Sequence, residues 1–458
     1  MNDNTLNLPN YFLADLPPEA ALTPGLITEA CQTLKRNRER YLQGRTTESL
    51  IQSLDGIGRD WLEADYPFRR HVLEAGPAAT GFSAAVLAAG LDSFFQQLTA
   101  ENLEGLLRQE LGHAHRLDDF FPGDHERGSN RVALARGPQL LAHIAPGNIP
   151  NAVLLDMVLG VLARSAQFVK CASGQAFLAR LFAHSLYEAE AKLGACLEVA
   201  EWPGGTESLE AALFAEADCV AATGSDETLA AIRRTLPGQV RFVGYGTRVS
   251  FGFVARDALT GRHPETIAAQ AALDVAAWNQ LGCLSPHVIY VEEGGRIGAE
   301  GFADLLAGAL EALEKTHPRG RLTAREAAGI AARRSFYEVR AAHSPDTKIW
   351  ASSESTAWTV VLETEARFQV SCLNRFVYVK AVQDVREVLQ AADPVRENIS
   401  TVGLASSGAR AAELAQQFAR WGARRICPLG EMQRPPLGWR HDGRPALGDL
   451  LTWSEWEK

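Results

Sequence analysis

The sequence contains no Lys/Arg-rich run, no pair of cysteines spaced as CxxC, and no low-complexity segment or internal repeat. Each absence removes a class of function. With 45 Lys+Arg against 55 Asp+Glu the formal charge is −10, so the chain is poorly suited to nucleic acid or an anionic membrane surface. The seven cysteines (Cys31, Cys171, Cys196, Cys219, Cys283, Cys372 and Cys427) are scattered and odd in number, which argues for reduced thiols and against a disulfide framework or zinc knuckle. The most apolar stretch, 152–163, is too short to span a bilayer and contains Asp156. The first residues have no basic region and no apolar signal core, so we expect a soluble, cytoplasmic protein.

What is present is alternation. Residues 27–41, 48–62, 84–98 and 102–111 place apolar side chains three and four apart and predict helices. From about 138 the pattern changes to short apolar runs (140–145, 166–171, 197–202, 219–223, 240–243) separated by helical stretches (152–164, 175–193, 208–216 and one starting near Ser225). Strands alternating with helices imply a doubly wound parallel sheet, whose ligands sit at the carboxyl ends of its strands. Gly244-Tyr245-Gly246 reads as a hinge into a second alternating region, with strands expected at 249–254, 287–291, 357–362, 376–382 and 400–405. The expected domains are 1–250 (a helical N-terminal region plus a dinucleotide-binding lobe, core 138–250), 251–430 (a catalytic lobe), and 431–458, an ordered tail that could form an interface.

Chemistry concentrates in a few segments. Trp278-Asn279-Gln280-Leu281-Gly282-Cys283-Leu284-Ser285-Pro286-His287 sets a cysteine beside glycine just before a strand, where a rigid scaffold can hold a nucleophile. A lone cysteine is more often buried structure. The segment resembles the cysteine loop of the aldehyde dehydrogenase superfamily, and Cys-Leu-Ser-Pro before Val-Ile-Tyr-Val is closer still to the LuxC family of fatty-acyl-CoA reductases. The resemblance implies an aldehyde dehydrogenase-like α/β fold and makes Cys283 the nucleophile. Cys171, Cys219 and Cys372 fall in or beside predicted strands and read as core.

Ile144-Ala145-Pro146-Gly147-Asn148-Ile149-Pro150 is similar to the superfamily's Pro-Trp-Asn-x-Pro turn, with Gly147 where tryptophan is usual. By that likeness the Asn148 amide and the Cys283 N–H stabilise the oxyanion formed on attack, although turn chemistry alone also favours Asn between Gly and Pro. There is no GxGxxG after a strand. Thr223-Gly224-Ser225 instead resembles the superfamily's Phe-Thr-Gly-Ser segment, carrying Gly224 and Ser225 over as phosphate contacts at a helix start. Asp226 and Glu227 have a plainer account as first-turn helix charges. Lys170 matches the lysine that binds the adenosine ribose, and Ser173 stands where NAD-preferring members often carry glutamate. A serine beside a lysine can accept a 2′-phosphate that a carboxylate would repel, so NADPH is the expected cofactor. Lys170 as a strand-end lysine with its head in water is the alternative.

The hydrolytic members' Glu-Leu-Gly-Gly-Lys corresponds to Gly244-Tyr245-Gly246-Thr247-Arg248, leaving glycine at the general-base position. Without that base, water cannot release the acyl group efficiently. The segment from Gly430-Glu431-Met432 to Trp453, including Pro435-Pro436-Leu437-Gly438-Trp439-Arg440-His441-Asp442-Gly443, resembles the LuxC C-terminal signature, so the likeness spans roughly 110–458. His441 and Asp442 border the site or simply make a turn. His113, His115, Asp118, Asp119, Asp124 and His125 fit no zinc spacing, and no metal is expected. His287 would lie about 13 Å along an extended strand from Cys283 and reads as a strand histidine.

The resemblance implies NADPH-dependent reduction of an acyl-CoA or carrier-bound acyl thioester to an aldehyde through an acyl-cysteine. Aldehyde oxidation is one alternative and a non-redox acyl-relay protein another. The γ-glutamyl phosphate reductases share the chemistry, but nothing here prefers an acyl phosphate. An acyl-transferring partner protein, no nucleic acid, and a homo-oligomer of at least two chains complete the expectation.

Overall fold

The computed structural model describes residues 6, 8–17, 19–124, 126, 128, 130–261 and 263–458. Its strands, in chain order, are β1 (Arg131–Arg136), β2 (Leu140–Ile144), β3 (Ala166–Cys171), β4 (Leu197–Glu201), β5 (Cys219–Thr223), β6 (Arg241–Tyr245), β7 (Val249–Val254), β8 (Pro286–Glu292), β9 (Thr347–Ala351), β10 (Thr359–Glu363), β11 (Phe376–Val382), β12 (Ile399–Ala405), β13 (Arg425–Pro428) and β14 (Thr452–Glu457). The chain divides into two compact units. The first comprises Met1–Thr80, Leu91–Gly246 and Pro436–Lys458, and the second Gly81–Gly90 and Thr247–Pro435.

The first unit is built on a five-stranded parallel sheet of order β4-β3-β2-β5-β6. Its central strands β2, β3 and β5 are buried along almost their whole length, as strands covered on both faces are. Leu140, Ala142, Phe168 and Val220 pack under the helices Pro24–Asn37 and Glu207–Glu216, where Ile27, Leu34, Leu213 and Phe214 are buried. Winding reverses between β2 and β5. That is the switch point where doubly wound sheets open a crevice at the carboxyl ends of the strands.

The second unit holds a seven-stranded sheet of order β13-β12-β7-β8-β11-β10-β9, parallel except for the antiparallel edge strand β9. Its winding reverses between β12 and β7, since β7 leads one way to β8 and β12 the other way to β13. The two faces carry separate cores, Val254, Ile289 and Phe302 on one side and Phe251, Tyr290 and Phe418 on the other.

Several elements differ from the sequence expectation. Strand β6 runs through Tyr245, so Gly244-Tyr245 belongs to the strand end, and the division between the two units falls just after Gly246. The helix expected over 175–193 breaks at Glu190, which is extended at φ −154°, into Phe177–Ala189 and Ala191–Gly194. The helix Pro67–Thr80, which carries Pro77 inside it, is not among the helices that the sequence pattern predicts. The tail ends in β14, which pairs antiparallel with β1, a strand that the sequence pattern missed. No helix among the described residues is long and apolar enough to cross a membrane.

Candidate active site

In the first unit the candidate groups gather at the carboxyl ends of β2, β3 and β5. After β2 the chain turns through Gly147 and Asn148, both exposed, into the helix Ala152–Leu162. The turn is tied to its neighbour by the Ala145 N–H, which donates to the Lys170 carbonyl at 2.9 Å. Lys170 is 4% exposed and places its ammonium 5.7 Å from the centre of the Trp202 ring. Burial lowers its pKa, opposed by the negative charge of Glu210. Ser173 is exposed in the turn beyond β3, followed by Gly174 at φ +72°.

One residue here escaped the sequence reading. The Glu201 carboxylate, at the end of β4, accepts the N–H groups of Gly174 at 3.1 Å and Ala176 at 3.3 Å. It therefore sits against the turn that carries Ser173. Glu201 lies opposite Cys171 in the register of β3 and β4, a pairing that only the folded sheet reveals.

Beyond β5, the Gly224 N–H donates to the Tyr245 carbonyl at 3.1 Å, and Ser225 caps the helix Asp226–Thr235. The Ser225 Oγ accepts the Thr228 N–H at 3.3 Å, so its hydroxyl already serves the helix. What remains for an anion is the exposed start of that helix, with its dipole. At the end of β6 the Gly244 carbonyl accepts from Arg444 at 2.8 Å. A Cβ on Gly244 would lie 2.9 Å from Phe242 Cε1, so a longer side chain would have to displace that ring. Tyr245 stacks on His441 at 4.1 Å and 7°, with the Arg444 guanidinium 4.7 Å from its ring. Asp442 sits at φ 54° in the short turn His441–Gly443.

In the second unit the nucleophile candidate is at the opposite end of its sheet. Cys283 precedes β8, at the amino ends of the strands. It occupies a tight turn closed by the Ser285 N–H onto the Gly282 carbonyl at 3.0 Å. Its own carbonyl accepts from Ser250 Oγ at 2.8 Å, and that oxygen in turn accepts the Thr401 N–H. Ser285 Oγ accepts from the Gln433 side chain at 2.7 Å. The turn around the sulfur is thus tied to β7, through Ser250 to β12, and to the segment after β13.

Cys31, Cys171, Cys196 and Cys219 are buried, whereas Cys283, Cys372 and Cys427 are half-buried. Burial pushes Cys31, Cys171, Cys196 and Cys427 up to about 12 and raises Cys219 and Cys372. Cys283 is half-buried in its turn. His287 lies in β8, where its Nδ1 accepts the Ser371 N–H at 3.2 Å, and burial depresses its pKa to about 4. A neutral imidazole fixed in this way is a strand histidine.

Of the groups singled out as metal-like, His115 pairs with Asp118, and Asp118 also holds Thr47 and Arg164. His125 lies outside the described residues. Among the described residues no cluster of three or more His, Cys, Asp or Glu could hold a metal ion.

The sequence profile of the family described as "Acyl-CoA reductase (LuxC)" matches residues 42–453. The chain belongs to the LuxC family. Relatives include a long-chain acyl-protein thioester reductase of Aliivibrio fischeri, 23% identical over 89% of this chain and 82% of that protein. Another is the long-chain acyl-protein thioester reductase 2 of Photobacterium leiognathi, 22% identical over the whole of this chain and 89% of its own length. Among solved structures, a putative aldehyde dehydrogenase, PutA, from Anabaena variabilis superposes with a TM-score of 0.69 at 17% identity, covering 95% of this chain and 93% of that one. An NAD-dependent benzaldehyde dehydrogenase from Corynebacterium glutamicum gives 0.70 at 12% identity, covering 98% and 94%. This LuxC-family chain therefore has the aldehyde dehydrogenase fold.

Proposed function

We propose that the chain reduces an acyl thioester, presented on CoA or on a protein, to the aldehyde, with Cys283 as covalent nucleophile and NADPH as reductant. The observation that carries this reading is a half-buried cysteine in a turn held at the Gly282 and Cys283 carbonyls, within a chain matched to the acyl-CoA reductase family over 42–453.

The Cys283 thiolate attacks the thioester carbon. The Asn148 amide and the Cys283 N–H steady the charge on oxygen, and the CoA or carrier thiolate leaves, giving an acyl-cysteine thioester. A dinucleotide held by the first unit would supply a hydride to the acyl carbon. The resulting thiohemiacetal oxyanion on Cys283 would collapse to aldehyde and expel the Cys283 thiolate. Gly244 has no side chain to activate water, so the acyl-cysteine survives until hydride reaches it.

For the cofactor, the residues fit. Lys170, Ser173 and the Gly224-Ser225 turn lie at the carboxyl ends of β3 and β5, beside the reversal in winding. Lys170 and Ser173 would hold the adenosine ribose and its 2′-phosphate, and Gly224 with the Ser225 N–H the pyrophosphate. The Glu201 carboxylate works against the 2′-phosphate by like charge, so NADPH preference rests on Lys170 and Ser173 outweighing it.

Intact-mass analysis tests the reading. Acyl-CoA should add one acyl mass to wild type and none to Cys283→Ala, and NADPH should then remove it with release of aldehyde. A Cys283→Ala protein that still makes aldehyde at the normal rate would overturn it. Initial rates with NADPH and NADH test the cofactor separately.

A further inference from the structure

The approach to Cys283 is strained. Trp278, Asn279 and Gln280 occupy the left-handed region in succession, at φ 49°, 53° and 65°. None is glycine, and each such residue costs on the order of 1 kcal/mol or more unless its surroundings enforce it. Three enforcers are visible in the second unit. The Trp278 indole fills a notch at Gly90, where a Cβ would lie 2.0 Å from its Cζ2. The Gln280 side chain donates to the Pro286 carbonyl at 2.8 Å.

The third is a buried cation. Arg375 is 0% exposed, and its guanidinium donates to Asn279 Oδ1 at 3.2 Å and to Glu314 at 2.7 Å. Arg375 itself ends a second left-handed run, Leu373-Asn374-Arg375, at φ 61°, 56° and 65°. Burial draws its pKa down to about 10 despite Glu314. Removing an arginine from water costs several kcal/mol, and Arg375 is used to join two strained turns, one of which leads into Cys283.

We propose that Arg375 is a positioning residue for the nucleophile, acting through Asn279 to hold the left-handed segment that aims Cys283. This rests on the reading of Cys283 as the nucleophile. Arg375 touches no reacting atom. Its effect is on where the sulfur sits, and a displacement of about 1 Å can cost about 100-fold in rate.

The discriminating variant is Asn279→Gly. Glycine adopts a left-handed φ more easily than asparagine, so if only backbone preference mattered this variant would match or exceed wild type. A side-chain clamp predicts the opposite. In full-length protein we expect Asn279→Gly and Arg375→Met each to lower kcat by roughly 10- to 100-fold, with KM for acyl-CoA within about twofold. The double variant should be no slower than either single, because both remove the same contact. Asn279→Asp, which keeps the acceptor, should recover most of the rate.

Wild-type activity in Asn279→Gly, or multiplicative losses in the double variant, would overturn the proposal. If Arg375→Met does not fold, Asn279→Gly against Asn279→Asp decides it alone. Iodoacetamide labelling of Cys283, read by peptide mass, needs no substrate. It should slow in the Asn279→Gly and Arg375→Met proteins even if the reaction assigned to Cys283 were wrong, so the two failures are distinguishable.

Discussion

Both units of this protein are doubly wound sheets, yet they use opposite ends. In the first unit the candidate groups lie beyond the carboxyl ends of β2, β3 and β5. In the second, Cys283 lies before the amino end of β8. The first arrangement follows from strand, turn and helix alone, since a helix start after a parallel strand already offers amides and a dipole. The second has no such default. Its loop is built by left-handed residues and by contacts from distant parts of the chain, and it takes a buried ion pair to hold it. Anion sites are cheap at one end of such a sheet, whereas an aimed nucleophile at the other needs a dedicated scaffold.

Four experiments sharpen this contrast. The largest effect should come from Cys283→Ala, which we expect to cut aldehyde formation by roughly 10,000-fold or more in a single-turnover assay. Asn148→Ala should cost roughly 100- to 1,000-fold in kcat while leaving iodoacetamide labelling of Cys283 unchanged; altered labelling would mean that the asparagine governs the loop instead. Lys170→Met should raise KM for NADPH about tenfold, taking one charge-assisted contact as worth 1.5 kcal/mol or more. Glu201→Gln should move the NADPH/NADH ratio of kcat/KM towards NADPH, and an unchanged ratio would remove Glu201 from cofactor choice.

The smallest effect compares the two sheets in acid. His143 in β2 and His287 in β8 are both buried, and burial depresses each to about 4. A group whose pKa falls on folding binds its proton more readily in the unfolded chain, so stability is lost as pH drops from about 6.5 through 4. Urea midpoints followed by tryptophan fluorescence should fall across that window. His287→Gln should flatten the dependence of the second unit only, and a dependence that survives intact would assign it to other groups.

Much of the fold was legible because its signals are local. β3, β5, β7 and β11 have the bounds that apolar runs between turn residues gave. The pairing of β1 with β14 was not, because Trp453-Ser454-Glu455-Trp456 is mostly exposed and joins a partner more than 300 residues away. The site divides in the same way. Cys283, Asn148 and Gly224 stand in recognisable motifs, and Lys170 and Ser173 sit at a strand end. Glu201 and Arg375 act through the fold alone. Their roles depend on which strand lies beside which and on a left-handed turn, and neither leaves a local mark in a sequence of ordinary glutamates and arginines.

The C-terminal segment also has a consequence for how the molecule is made. Glu110 accepts the amides of Ala446, Leu447 and Gly448, Arg241 holds the carbonyls of Leu450 and Leu451, and the Lys458 N–H reaches the Asn130 carbonyl. The first unit therefore needs residues 436–458, which are synthesised after Pro435, by which point the second has all of its parts. During synthesis the second body can close first, while the first waits with β1 unpaired until β14 emerges.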